Sequence, residues 1–301
     1  MGRTNLTAML NPQGRIEGEF SVSRIGEDEF FLFGSQAAEV HHPRWFLAHL
    51  PADSSIEFEV LALSMVGLTV AGPHARDVLQ QLTDTSLASN DFPFMAFRKV
   101  DLGMAPVWLS RMTYSGDLGY EIWVQPEYQR YLFDLIWEAG QQFGIGLFGF
   151  RALITMRLEK NFGTWFREYR PIYTPLEAGM DRVLKFDHEF IGRDAVEAEI
   201  AGGGPKRKLV MFRVEVDPEA PADVIGDEPV WHCGPDGDAV VGWITSGGYA
   251  HYSGVSLALG YIPAELATDG TGFEIEIIGR RRPATLQHEP VLDPQGLRMR
   301  A

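Results

Sequence analysis

The sequence predicts an α+β protein of more than one domain, ending in an antiparallel β-barrel or sandwich. Three observations carry that expectation. In the first two-thirds of the chain, β-prone runs and amphipathic helical patterns follow one another without the strict βαβ repeat of a parallel sheet. A glycine-rich stretch, Ala201-Gly-Gly-Gly-Pro205, then reads as a linker. Beyond it the texture changes to short strands separated by turn residues. The expected division is residues 1–200 and residues 206–292.

Residues Thr4 to Asn11 pass directly into a strand over Gly14 to Val22, and Glu29 to Phe33 reads as its antiparallel neighbour across the Gly26-Glu-Asp28 turn. Ala37 to Leu50 is amphipathic and helical. Its adjacent His41 and His42 project about 100° apart, which disfavours a shared metal ion. Strands are expected at Phe58–Ala62 and Val66–Ala71, and Gly72-Pro73 introduces a helix from His74 to Leu82, with proline in the first turn. Strands at Phe97–Asp101 and Val107–Tyr114 follow. Pro126 opens a long helix whose Tyr131, Leu132, Leu135, Ile136 and Ala139 recur at helical spacing and form its core stripe. Another helix covers roughly Arg151 to Lys160. The C-terminal strands fall at Leu209–Val216, Val230–Cys233, Val240–Ile244, Leu257–Ile262 and Phe273–Ile278.

Composition narrows the function. The 301 residues suffice for about two compact domains. With 41 acidic against 26 basic side chains, the net charge of −15 repels nucleic acid and anionic membrane surfaces. Apolar runs are too short to span a bilayer and no signal-like segment opens the chain, so a cytoplasmic protein is expected. The single cysteine, Cys233, excludes an internal disulfide and a cysteine-based zinc site and reads as a buried or idle thiol. No dinucleotide fingerprint, phosphate loop, nucleophile elbow or paired-histidine zinc motif occurs.

The stretch Arg111-Met-Thr-Tyr-Ser-Gly-Asp-Leu-Gly-Tyr-Glu121 carries the candidate site. Two glycines three apart let the backbone approach a flat ligand, while Tyr114 and Glu121 offer a phenol and a carboxylate at the rim. The same spacing also describes an ordinary surface turn between strands. Glu19 shares a strand face with Arg15, Glu17 and Ser21, which by alternation alone is a solvated polar face. In the loop Lys160 to Arg170, Trp165 suits ring stacking, and Arg167 and Arg170 suit an anionic ligand tail; equally, the arginines seal a domain seam by pairing with Glu168.

The central stretch resembles the Thr-Tyr-x-Gly-x-x-Gly-x-Glu signature of the folate-binding aminomethyltransferases, the glycine-cleavage T-protein family. It is more similar still to the folate domains at the C-terminal end of dimethylglycine and sarcosine dehydrogenases. Val70-Ala-Gly-Pro-His-Ala-Arg76, Arg157-Leu-Glu-Lys160, Tyr173-Thr-Pro-Leu-Glu-Ala-Gly179, Phe190-Ile-Gly-Arg193 and Thr245-Ser-Gly-Gly-Tyr249 agree in order, so the likeness runs from Leu6 to Leu292.

The resemblance implies a multidomain aminomethyltransferase-like fold with a C-terminal antiparallel β-barrel over residues 206–292, whose folate-binding region, residues 1–200, is shortened at its front relative to the family. It implies tetrahydrofolate as cofactor, taking a one-carbon unit at N5 from an iminium or a protein-bound aminomethyl group to give methylene-tetrahydrofolate and an amine. Matching the family pattern Met-x-Asn-x-x-Gly to Met9-Leu-Asn11-Pro-Gln-Gly14 puts Glu19 where the family keeps a catalytic acid, usually aspartate, with Tyr114 beside it. Glu121 is implied to pair with the pterin amino and ring N–H groups. Phe94, Trp165 and Arg167 complete the implied cofactor-binding set. The expected role is the folate module of an amine-demethylating flavoenzyme acting on a small N-methylated amine, with FAD on a partner subunit or absent domain. Two alternatives stay open. One is a free-standing aminomethyltransferase that docks a lipoyl carrier protein; the other is a non-catalytic folate-binding or structural subunit, although the Lys-Gly-Cys-Tyr-x-Gly-Gln-Glu motif of non-catalytic relatives is absent.

Overall fold

In the computed structural model, which describes residues 1–301 apart from Asp236, the chain divides into two compact units. The first comprises Met1–Leu6, Ser21–Gly149 and Gln295–Ala301; the second comprises Thr7–Phe20 and Phe150–Pro294. Among the described residues no helix is long and apolar enough to cross a membrane.

A three-stranded sheet contains β1 (Arg3–Leu10), β2 (Ile16–Arg24) and β3 (Phe30–Phe33) in that order, with β2 and β3 antiparallel, and the chain changes unit partway along β1 and β2. β1 is a strand that the sequence pattern left unassigned. In the first unit, Thr4 Oγ1 and Ser23 Oγ share a buried hydrogen bond of 2.8 Å. Helix α1 (His41–His49) starts later than the expected Ala37, after a 3₁₀ turn at Gln36–Ala38. The expected strand at Phe58–Ala62 does not form. That run is irregular and ends in a 3₁₀ turn at Ala62–Ser64. β-prone residues make a strand only beside a partner edge, and here Phe58 instead stacks on Phe46 with ring centroids 5.1 Å apart.

The core of the first unit is a four-stranded antiparallel sheet, β4 (Val66–Ala71), β5 (Phe97–Leu102), β6 (Ala105–Ser110) and β7 (Gly119–Val124), in the order β4-β7-β6-β5. Helix α2 (Ala75–Gln80) lies between β4 and β5 in sequence, and α3 (Gln129–Gly140) follows β7. One face of β7, Tyr120, Ile122 and Val124, is buried with Leu79 of α2 and with Leu132 and Ile136, which belong to the stripe expected on α3. The β5–β6 turn passes so close to α3 that a Cβ on Gly103 would sit 2.4 Å from the Tyr131 hydroxyl, at a left-handed φ of +59°. β6 stops at Ser110, short of the expected Tyr114, because Arg111 leaves the ladder: its N–H donates to Ala96 O and its carbonyl accepts from Met95 N–H. Thr113 Oγ1 then accepts from Ser115 N–H at 3.1 Å, so the residues up to Leu118 form a side-chain-braced bend.

The second unit holds α4 (Phe150–Glu159), α5 (Arg193–Ala201) and a closed barrel. Its strands are β8 (Arg207–Val214), β9 (Pro229–Gly234), β10 (Gly237–Ala250), β11 (Val255–Pro263), β12 (Phe273–Ile277) and β13 (Arg280–Gln287). They close in the order β10-β11-β8-β13-β12-β9 with antiparallel pairing, which decides for a barrel over a sandwich and removes sheet edges. β13 begins Arg-Arg-Arg-Pro and was missing from the expected strands. Alternation turns Arg282 and Ala284 inward, and the buried Arg282 guanidinium donates to the carbonyls of Ala220 and Ala222. Leu158 of α4 packs with Met211, Ala250, Leu257 and Leu259 on the outside of the main barrel core.

The loop after α4 is pinned through Glu168, which is 0 % exposed. Its carboxylate accepts from Arg157 Nη1 at 3.1 Å, Thr164 N–H at 2.9 Å and Thr245 Oγ1 at 2.6 Å, and also from Ser246 Oγ. Arg157, rather than Arg167 or Arg170, is therefore the ion-pair partner of Glu168.

Candidate functional site

In the first unit Glu121 lies mid-sheet on β7, directly opposite Thr69 of β4 and Ser110 of β6. Strand alternation puts it on the face opposite Tyr120 and Ile122, together with Trp123. Protein crowds this carboxyl on most sides while part of the side chain stays accessible, and desolvation pushes its pKa from 4.5 up to about 7. No hydrogen bond or ion pair reaches it among the described residues. Beside it, Ser110 Oγ and Trp123 Nε1 are buried without a hydrogen-bond partner. Each such orphan costs on the order of 1–3 kcal/mol. Three unsatisfied polar groups on adjacent positions of one sheet face are what a site looks like when its ligand supplies the complementary edge.

The ligand-free protein should feel that cost as a pH dependence. Glu121 titrates near 4.5 when unfolded and near 7 when folded, so the folded state holds a proton the unfolded state has released. Its contribution is therefore absent below pH 4.5, and stability declines as pH rises to about 7, by ~3 kcal/mol for a displacement of that size. Glu121→Gln should flatten much of this decline, making the variant more stable than the parent at pH 8 and little different at pH 4. Urea midpoints at the two pH values check it; equal differences at both would remove the desolvated carboxylate from the account.

Tyr114 is half-buried within the bend, and Phe94 is half-buried with the Arg300 guanidinium 5.9 Å from its ring centroid. A Cβ on Gly119 would meet Thr113 at 2.8 Å, so the close backbone approach expected of this glycine is used inside the bend itself.

In the second unit Glu19 sits on β2. Desolvation raises its pKa from 4.5 to about 7, against the opposing charge of Arg182. Arg182 lies in a turn at Asp181–Val183 that follows Met180, which is buried with Leu10, Ile16, Ala178 and Val196. The strand face is not the solvated one that alternation alone describes. Glu17 is buried and accepts from Asn11 Nδ2 at 2.9 Å, while Arg15 pairs with Glu177 at 3.3 Å. Of the three charged residues on that face, Glu19 is the one with no hydrogen bond among the described residues.

Trp165 packs against the Leu10–Met180 cluster. Arg167 Nη1 lies 3.7 Å from Asp227, and Arg170 Nη2 donates to the Tyr173 hydroxyl at 3.4 Å, so both arginines have partners within their own unit. Phe94, Tyr114 and Glu121 thus belong to the first unit, and Glu19, Trp165 and Arg167 to the second. Ser110, Trp123 and Arg182 escaped the sequence reading. Trp123 was recoverable by counting two residues along β7 from Glu121, whereas Ser110 required the β6–β7 register.

Cys233 is exposed and not buried, and desolvation together with Glu274 and Asp238 holds its thiol above the ordinary range. These three groups lie within 4.8 Å of one another, but Arg281 ion-pairs with Asp238 at 2.7 Å and Glu274 at 3.7 Å and already supplies the cation.

Residues 1–188 match the family model described as the GCVT N-terminal domain, and residues 207–293 match the glycine cleavage T-protein C-terminal barrel domain. The chain is 37 % identical over 306 residues to the mitochondrial dimethylglycine dehydrogenase of Mus musculus, covering 100 % of this chain and 34 % of that protein. It therefore spans about a third of the length of that relative. The aminomethyltransferase of Synechocystis sp. is 30 % identical over 286 residues, covering 93 % of this chain and 72 % of its own. The crystal structure of glycine cleavage system aminomethyltransferase T from Bartonella henselae has the same fold, with a TM-score of 0.82 at 22 % identity, over 98 % of this chain and 77 % of that one. The chain belongs to the folate-binding aminomethyltransferase, or glycine-cleavage T-protein, family.

Proposed function

We propose that the chain is the tetrahydrofolate module of an amine-demethylating flavoenzyme of the dimethylglycine or sarcosine dehydrogenase type. The observation that carries this reading is the trio of unsatisfied polar groups around Glu121: a carboxyl with no partner, with the Ser110 hydroxyl and Trp123 N–H on the same sheet face. That set suits the edge of a reduced pterin: the Glu121 carboxylate accepts from the amino and ring N–H groups, the Ser110 hydroxyl can accept or donate, and Trp123 N–H donates to an acceptor on the ring such as its carbonyl oxygen. A carboxylate accepting two such bonds forms a charge-assisted bidentate pair.

When bound, tetrahydrofolate supplies the nucleophilic amine that accepts a one-carbon unit. Glu121 holds the pterin edge, and Tyr114 and Phe94 are the further ring contacts proposed on the same unit. Glu19 acts on protons: with a pKa of about 7 it both gives and takes one near neutral pH, and its anionic form stabilises a cationic one-carbon donor. Trp165 and Arg167 are the contacts proposed on the second unit, Arg167 after exchange of its exposed Asp227 partner.

The flavoenzyme assignment draws support from the dimethylglycine dehydrogenase match, which covers this whole chain and a third of that protein. Under it, a flavoprotein domain or subunit carries FAD and a small N-methylated amine is the substrate. A second reading, a free-standing aminomethyltransferase, draws on the Synechocystis relative, of which the match covers 72 %. One-carbon transfer from a lipoyl carrier protein, with no flavoprotein present, would favour the second reading.

Titration calorimetry with tetrahydrofolate tests the shared core of both. Binding is expected in the parent, and Glu121→Gln should weaken it by about 10–100-fold, the scale of a lost charged hydrogen bond. A parent chain that gives no heat at millimolar ligand would end the folate reading.

A further inference from the structure

The end of the barrel where β8 and β10 finish and β11 begins carries a cavity of about 200 Å³, lined by residues of the second unit. Tyr249 of β10 and Ser256 of β11 stand directly opposite one another across the ladder, so their side chains share one face. That face is the inner one, because Ala258, two residues on from Ser256, lies in the main barrel core. The loop between β8 and β9 supplies the rest of the wall through Val216, Pro221, Ala222 and Asp223.

This loop is fastened on both sides of the cavity. Val224 is fully buried in the barrel core, so close to β10 that a Cβ on Gly247 would sit 2.4 Å from it. The buried Arg282 guanidinium holds the carbonyls of Ala220 and Ala222, on either side of Pro221, and Asp217, outside the cavity wall, pairs with its charge at longer range. The cavity is therefore preformed, yet its polar groups are idle. Among the described residues no hydrogen bond or ion pair reaches the side chains of Asp223, Tyr249 or Ser256, although Ser256 is only 6 % exposed.

The chemistry left open is narrow. A carboxylate and two hydroxyl oxygens accept hydrogen bonds from a cation that carries N–H groups, and the Tyr249 ring offers that cation a π face. Val216, Pro221 and Ala222 suit short alkyl groups. The volume lies below the ~300–1,000 Å³ of pockets for drug-sized ligands, which limits the occupant to a few heavy atoms. We propose that this cavity binds a small alkylammonium ion, with Asp223 as its counter-charge and the hydroxyls of Tyr249 and Ser256 as its acceptors. The site takes the chemical class of the amine substrate proposed above, but it stands on the barrel alone and requires neither folate nor a flavoprotein.

Dimethylammonium is the probe, titrated into the full chain without folate and followed by two-dimensional amide NMR. Saturable shifts are expected at the amides of Asp223, Tyr249 and Ser256, with a Kd on the order of 1–10 mM, near the ceiling for a ligand of three heavy atoms. Asp223→Asn keeps the shape of an exposed side chain and should weaken binding about tenfold, the scale of a lost charged hydrogen bond. Tetramethylammonium, a cation without N–H groups, and propan-2-ol, a neutral molecule of similar size, should each bind about tenfold more weakly or worse. The absence of saturable shifts up to ~100 mM dimethylammonium overturns the proposal. So does an Asp223→Asn chain that binds like the parent, a control ligand that matches dimethylammonium, or shifts confined to residues outside the barrel.

Discussion

Glutamine in place of Glu19 is expected to lower one-carbon transfer to tetrahydrofolate by roughly 10²–10⁴-fold, the usual contribution of a positioned acid or base, while leaving folate affinity nearly unchanged. The expectation rests on how β2 treats this residue. Its neighbours on the same strand face are committed, Glu17 to Asn11 and Arg15 to Glu177, whereas Glu19 is desolvated to a pKa of about 7 and holds no hydrogen bond. A carboxyl kept idle in the folded state and tuned to neutral pH is suited to moving a proton and poorly suited to holding structure. Single-turnover transfer measured against pH is the readout. The parent should show a limb near pH 7 that the variant lacks, and a variant as fast as the parent across the profile would take Glu19 out of the chemistry. The contrast with Glu121→Gln, which should weaken binding first, separates the two carboxyls even though both titrate near 7.

The largest stability effect should come from Glu168→Ala, a loss of about 3–5 kcal/mol from stranding a buried cation. Arg157, 0 % exposed, would lose its counter-charge, and the hydroxyls of Thr245 and Ser246 and the N–H of Thr164 would lose their acceptor together. Replacing both members, as in Arg157→Met with Glu168→Leu, removes the stranded charge and should recover part of the loss. Urea unfolding measures both variants. A single variant within about 1 kcal/mol of the parent would mean that water replaces the carboxylate at little cost.

Much of this was legible in the residues themselves. The α3 stripe, the β7 strand and the change to barrel texture after residue 205 follow from periodicity and turn chemistry, and the structure has each of them. What failed did so for identifiable reasons. Phe58–Ala62 has strand composition and no edge to pair with, while β13 opens on three arginines and is a strand because barrel closure supplies two neighbours. Around the site, Glu121 stood out as a carboxylate ending a glycine-rich stretch. Ser110 did not, because an ordinary serine becomes informative only when the register sets it opposite Glu121 and burial leaves its hydroxyl unsatisfied. Glu168 was read as a partner for Arg167 or Arg170, and the nearer claim of Arg157 needed three-dimensional information.

The way the two units share the polypeptide bears on how the protein must be made. The first unit draws on residues 1–6, 21–149 and 295–301, so its last piece is translated after the entire second unit. Vectorial synthesis usually lets an N-terminal domain finish first. Here the sheet has to wait for residues 295–301 before Arg76 and Arg111 meet the oxygen of Ala301, so fragments cut near residue 188 are expected to be prone to aggregation and proteolysis.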